Sequence, residues 1–89
     1  MERNFSAQAD EEYQTWRKEN KKIFRRINDL IDSIEDNGFL NGIGKPEQLK
    51  HFVEPTFSRK IDKKNRLVYC SYNENDLLII SCKGHYQDK

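Results

Sequence analysis

The chain has 89 residues, of which 35% are apolar and 35% charged, with a net charge of +1. That length holds one small domain, residues 1–89, with a thin stability margin, and an aromatic content of 11% in periodic apolar runs excludes a disordered chain. With no signal peptide and no run of 18 apolar residues in the sequence, a reduced, cytoplasmic protein is expected, with no membrane contact and its two cysteines as ordinary packing.

In chain order, residues 1–5 carry only Met1 and Phe5 as apolar groups and suit a short edge strand entering a helix. Ser6 is placed to cap that helix, and Asp10, Glu11 and Glu12 lie in its early turns, where the helix dipole favours acids. Ala9, Tyr13 and Trp16 recur at helical spacing and form its apolar stripe. Asn20 marks a break. Ile23, Ile27, Leu30, Ile31 and Ile34 then hold a 3.6-residue period, and Asn37-Gly38 ends the second helix as a left-handed cap would. Phe24 sits off that stripe, where it meets the first helix or a partner.

Residues 38–46 form the longest irregular stretch, with Gly38, Gly42, Gly44 and Pro46, and no P-loop continuation follows Lys45. A short mixed segment from Glu47 to Phe52 leads to a three-stranded antiparallel meander: FSRKI, a turn at DKKN, RLVYCSY, a turn at NEND, and LLIISCK. Pairing Tyr72 with Leu77 across the second turn sets Cys70 opposite Ile79 and Cys82 opposite Leu67, so the thiols are offset and do not bridge. Alternation puts Phe57, Arg59 and Ile61 on one face and Ser58 and Lys60 on the other, while Leu67, Tyr69 and Ser71 oppose Arg66, Val68, Cys70 and Tyr72. Both faces are apolar enough that period two does not say which one the helices cover. The expected fold is α+β: two N-terminal helices on one side of a small twisted, mainly antiparallel sheet, with function in a shallow cleft on the other side.

Charge is laid out unevenly. Residues 17–26 carry Arg17, Lys18, Lys21, Lys22, Arg25 and Arg26 against Glu19 alone, and residues 45–66 are also strongly basic. Such surface fits either a solvated face or a polyanion partner. Two histidines 34 positions apart and unpaired cysteines give no metal-ligand spacing, so neither a metal nor another cofactor is expected.

The residues with chemical potential are Glu47, Lys50, Lys60, Arg66, His85 and Tyr86. Cutting RNA without a metal requires a base for the ribose 2'-OH, cations for the phosphoryl oxygens and an acid for the departing 5'-oxygen. Carboxylates and imidazoles move protons at useful pKa values, whereas Arg and Lys hold phosphate.

The runs GKPEQLKH at 44–51, FSRKI at 57–61, RLVY at 66–69 and CKGHY at 82–86, together with AxxxYxxW at 9–16 and KKI…RINDLI at 21–31, closely resemble the YoeB/Txe family of toxin ribonucleases within the RelE-like superfamily. The resemblance covers nearly the whole chain. It implies a microbial-ribonuclease-like fold and cleavage of mRNA in the ribosomal A site. By position, it implies Glu47 as general base, Arg66 as stabiliser of the pentavalent phosphate, His85 as general acid, Tyr86 as an orienting or stacking group, and Lys50, Arg59 and Lys60 as phosphate contacts. It further implies a cognate antitoxin, the ribosome and mRNA as partners, and a homodimer.

The chain departs from the family pattern at Lys60, where a second arginine is usual, which keeps charge but loses a bidentate fork. Glu54-Pro55-Thr56 replaces a glycine and aromatics, and Gln87-Asp88-Lys89 extends the chain, with Asp88 in reach of raising the His85 pKa if it folds back. Tyr69 and Tyr72 are read as packing, and no role is assigned to His51. The alternative function is a non-cleaving module that binds the ribosome, RNA or an antitoxin.

Overall fold

Ser6 joins sheet to helix. In the computed structural model, which describes residues 1–84, its hydroxyl accepts the Ala9 N–H at 3.0 Å and donates to the Ile80 carbonyl at 2.8 Å. One side chain thereby ends strand β1 (Arg3–Phe5), caps helix α1 (Ala7–Glu19) and ties both to strand β5 (Asp76–Ser81). Asn20 caps helix α2 (Lys21–Asn37) through a 3.2 Å bond from the Ile23 N–H, and Gly38, at φ 93°, ends it. The remaining strands are β2 (Glu47–Gln48), β3 (Thr56–Lys60) and β4 (Arg66–Tyr72).

The sheet has five strands in the order β1-β5-β4-β3-β2, parallel at β1-β5 and antiparallel elsewhere. The meander therefore gains an edge strand at each side. Gln48, Phe57, Tyr69, Ile79 and Phe5 form one row across all five strands. Phe57, Tyr69 and Ile79 belong to the core with Ile27, Leu30, Ile31 and Ile34 of α2, so this is the face under the helices. Phe24 settles against the first helix: Phe5, Tyr13 and Phe24 stack in sequence with centroids 4.9 and 4.7 Å apart.

The second hairpin corrects the expected register. Tyr72 pairs with Asp76 and Cys70 with Leu78, because a three-residue turn with positive φ at Asn73 and Glu74 leaves Asp76 in the strand. An irregularity between Val68 and Tyr69, with Ile80 as the surplus residue, then returns the ladder to the expected alignment at Val68–Ser81. Both cysteines are free. Among the described residues, no helix is long and apolar enough to cross a membrane.

Candidate active site

The face turned away from the helices carries the row Glu47–Ser58–Val68–Ser81 and, one step along, the pair Lys60–Arg66. Side chains of paired residues share a face, so the sheet brings Glu47, Lys60 and Arg66 together. The middle of this face is closed by Ser58 and Val68, both buried, while Glu47 and Lys60 are exposed and Arg66 is half-buried. Among the described residues the Glu47 carboxylate has no hydrogen-bond or ion-pair partner. Its backbone is well held. Lys60 N–H donates to the Gly44 carbonyl at 2.7 Å before it, and Leu49 N–H to the Thr56 carbonyl at 2.7 Å after it. Lys50 is exposed just beyond.

Arg59 faces the other way, and the expectation that it contacts RNA phosphate is corrected. It is only 1% exposed. Its Nε donates to the Tyr69 hydroxyl at 2.9 Å, Nη1 to Ser33 Oγ at 3.0 Å and the Ile43 carbonyl at 2.9 Å, and Nη2 to the Gly38 and Asn41 carbonyls at 2.8 and 2.7 Å. A guanidinium has five N–H groups, so none is left for a ligand. Tyr69 relays the grip by donating to the Phe39 carbonyl at 2.7 Å, and burial, outweighing the hydrogen bond from Arg59, pushes its phenol pKa up.

The loop of residues 38–44 is thus wound around one side chain. A Cβ at Gly42 would lie 2.1 Å from Ser33 Oγ and 3.1 Å from Arg59 Nη1, and one at Gly44 would lie 2.5 Å from Leu30 Cδ2. Both glycines also sit at positive φ. Arg59, Tyr69, Ser33, Gly42 and Gly44 are the residues that deliver Glu47 to the sheet edge. Sequence reasoning gave Tyr69 only packing and Ser33 no role. The available signal was that Arg59 alternates in phase with the apolar Phe57 and Ile61.

Arg66 sits where two strand ends meet. Its Nη1 donates to the Asp62 carbonyl at 3.0 Å, and its backbone N–H to the Gly84 carbonyl at 3.0 Å. The end of β5 is held from the helix side as well. Cys82 N–H donates to the Glu12 carboxylate at 2.8 Å, Trp16 Nε1 donates to the Cys82 carbonyl at 2.9 Å, and the Lys83 ammonium lies 5.5 Å from the Trp16 ring centroid. Burial first, and then the Glu12 charge, pushes the Cys82 thiol up to about 12. His85, Tyr86 and the Asp88 contact to His85 lie outside the described residues.

An exposed carboxylate on the same sheet face as an ammonium and a guanidinium suits a phosphodiester substrate. The fold is that of bacterial toxins: the chain superposes on the YoeB/ParE toxin of Agrobacterium tumefaciens with a TM-score of 0.89 at 32% identity, covering 97% of this chain and all of that one. Even the DinJ-YafQ complex of Escherichia coli, at 15% identity, shares the fold with a TM-score of 0.75.

The model of the family of YoeB-like toxins of bacterial type II toxin-antitoxin systems matches residues 5–86, and the chain belongs to that family. It is 46% identical over 76 residues to the toxin YoeB of Synechocystis, covering 85% of this chain and 86% of the relative. The YoeB dimer of Staphylococcus aureus superposes with a TM-score of 0.89 at 44% identity, covering 97% of this chain and 98% of that one, and the same species' YoeB-YefM complex gives 0.87.

Proposed function

We propose that this protein is a ribosome-dependent endoribonuclease that cuts mRNA in the A site and is neutralised by a cognate antitoxin. The observation that carries this reading is the convergence of Glu47, Lys60 and Arg66 on one sheet face in a chain of the YoeB-like family. Glu47 takes the proton of the ribose 2'-OH, whose oxygen attacks the adjacent phosphorus. Arg66 and Lys60, with Lys50 beside the strand, neutralise the charge that collects on the non-bridging oxygens. His85 returns a proton to the departing 5'-oxygen and Tyr86 orients the nucleotide. The products are a 2',3'-cyclic phosphate and a 5'-hydroxyl, and no metal enters the sequence of steps.

The exposed Lys18, Lys21, Lys22 and Arg25 at the junction of α1 and α2 fit the phosphates of ribosomal RNA. The dimer and the YefM complex formed by the S. aureus relative support a homodimer and an antitoxin-bound form here. Mapping cuts in a defined mRNA on purified ribosomes tests the reading. Cuts within the A-site codon, lost in His85→Ala and Glu47→Ala and retained in chelator, are expected. A message left whole by a protein that still binds the ribosome would overturn it in favour of a non-cleaving translation block.

A further inference from the structure

Asn65 is a buried amide, 8% exposed, with both ends engaged. Its Nδ2 donates to the two Asp62 carboxylate oxygens at 3.1 and 3.2 Å, and its Oδ1 accepts the Gly84 N–H at 2.8 Å. The neighbouring Arg66 N–H donates to the Gly84 carbonyl at 3.0 Å. Consecutive residues at the start of the strand that carries Arg66 therefore hold both backbone polar groups of Gly84, the residue that precedes His85 in the chain.

The amide is not needed to close its own turn. Asp62 already accepts the Lys64 and Asn65 backbone N–H groups at 2.8 and 2.7 Å, and the Asn65 carbonyl already accepts the Ile61 N–H at 3.0 Å. These bonds would survive loss of the side chain. What would not survive is the grip on Gly84, and the orientation of that grip is dictated: a flipped amide would point its oxygen at a carboxylate. Gly84 has φ 91°, so the chain turns at the point where it is held.

We propose that Asn65 is a positioning residue of the cleavage reaction: polarised by Asp62, its amide fixes Gly84, the residue before His85 in the sequence, against the strand that carries Arg66. The inference rests on the nuclease reading given above. Misplacing a reacting group by about 1 Å costs up to roughly a hundredfold in rate. The loss should fall on the chemical step, because Asn65 is buried and its amide is taken up by Asp62 and Gly84.

The test combines single-turnover mRNA cleavage on ribosomes with amide hydrogen exchange at Gly84. Asn65→Ala should slow cleavage roughly ten- to a hundredfold, leave ribosome binding within about threefold of wild type, and deprotect the Gly84 N–H. Asn65→Asp should be similarly impaired, since two carboxylates would then face each other. The exchange Asp62→Asn with Asn65→Asp reverses the polarity of the same bonds, with an amide at 62 donating to a carboxylate at 65 that still accepts from Gly84, and should recover both rate and protection. An unprotected Gly84 in the wild type would overturn the clamp itself. Protection lost in Asn65→Ala without loss of rate, or protection regained in the double variant without regain of rate, would overturn the positioning role. If the wild-type protein cuts no mRNA, the nuclease reading fails, while the Gly84 exchange data still decide whether the clamp exists.

Discussion

Arg59 and Lys60 are adjacent cations on one strand, and the two regions they belong to behave in opposite ways. Around Arg59 the protein has spent every donor of a guanidinium on three carbonyls and two hydroxyls, turning a charge into a scaffold for the loop of residues 38–44. Around Lys60 the charge stays at the surface beside Glu47 and Arg66. A side chain's charge thus says little about its use until its face of the sheet is known. The buried region fixes geometry, and the open one leaves its charges at the surface, where the proposed reaction needs them.

That division fails or holds on four measurements. Arg59→Ala is expected to have the largest effect, on the order of 3–5 kcal/mol of stability, because it strands several buried acceptors and unwinds the loop that carries Glu47. Thermal unfolding would show it as a fall of more than about 10 °C in Tm, and Arg59→Lys would recover little, since an ammonium cannot reproduce a five-donor fork. A stable Arg59→Ala protein would remove the distinction between the regions. Glu47→Gln should do the reverse, leaving unfolding within about 0.5 kcal/mol while lowering cleavage by roughly 10²–10⁴. Equal loss of stability there would show that Glu47 serves the fold.

Lys60→Ala is expected to be milder: a loss of about tenfold or less in cleavage, no change in Tm, and a salt dependence of ribosome binding shallower by about one unit in the log-log slope. The smallest effect concerns Cys82, whose raised pKa reflects burial beside Glu12. Its folded-state pKa of about 12 lies above that of the unfolded thiol, about 8.5, so its contribution to stability is complete below the unfolded value and is lost as pH rises toward the folded one. At pH 8 iodoacetamide should therefore modify the partly exposed Cys70 well before Cys82, and equal rates would place Cys82 outside the core.

Local signals made much of this molecule legible. Ser6, Asn20 and Gly38 announced the helix ends, the isoleucine-leucine stripe announced the buried face of α2, and turn residues divided the meander. Glu47 and Arg66 could be named as candidate groups from chemistry, and alternation already put Arg66 and Val68 on one side, where the structure has them. The short edge strand β1 was legible from Phe5 and Ser6, whereas β2 was harder to read because two residues defined only by main-chain pairing to β3 leave no apolar pattern. The shifted register arose from a turn that tolerates positive φ at Asn73 and Glu74, a backbone choice that asparagine permits and does not dictate. Arg59 was misread because the family resemblance grouped it with Lys60 as a phosphate contact, although its in-phase spacing with Phe57 and Ile61 put it on the same face as those apolar residues.

The brevity of the two outer strands has a consequence for aggregation. β1 spans three residues and β2 two, and Pro46, which has no N–H to offer, immediately precedes the latter. A foreign strand approaching either margin finds only a few rungs to bind before the ladder stops. Edges this short disfavour the strand-to-strand growth that seeds fibrils, so a small sheet with two open margins is protected from stacking on its own kind.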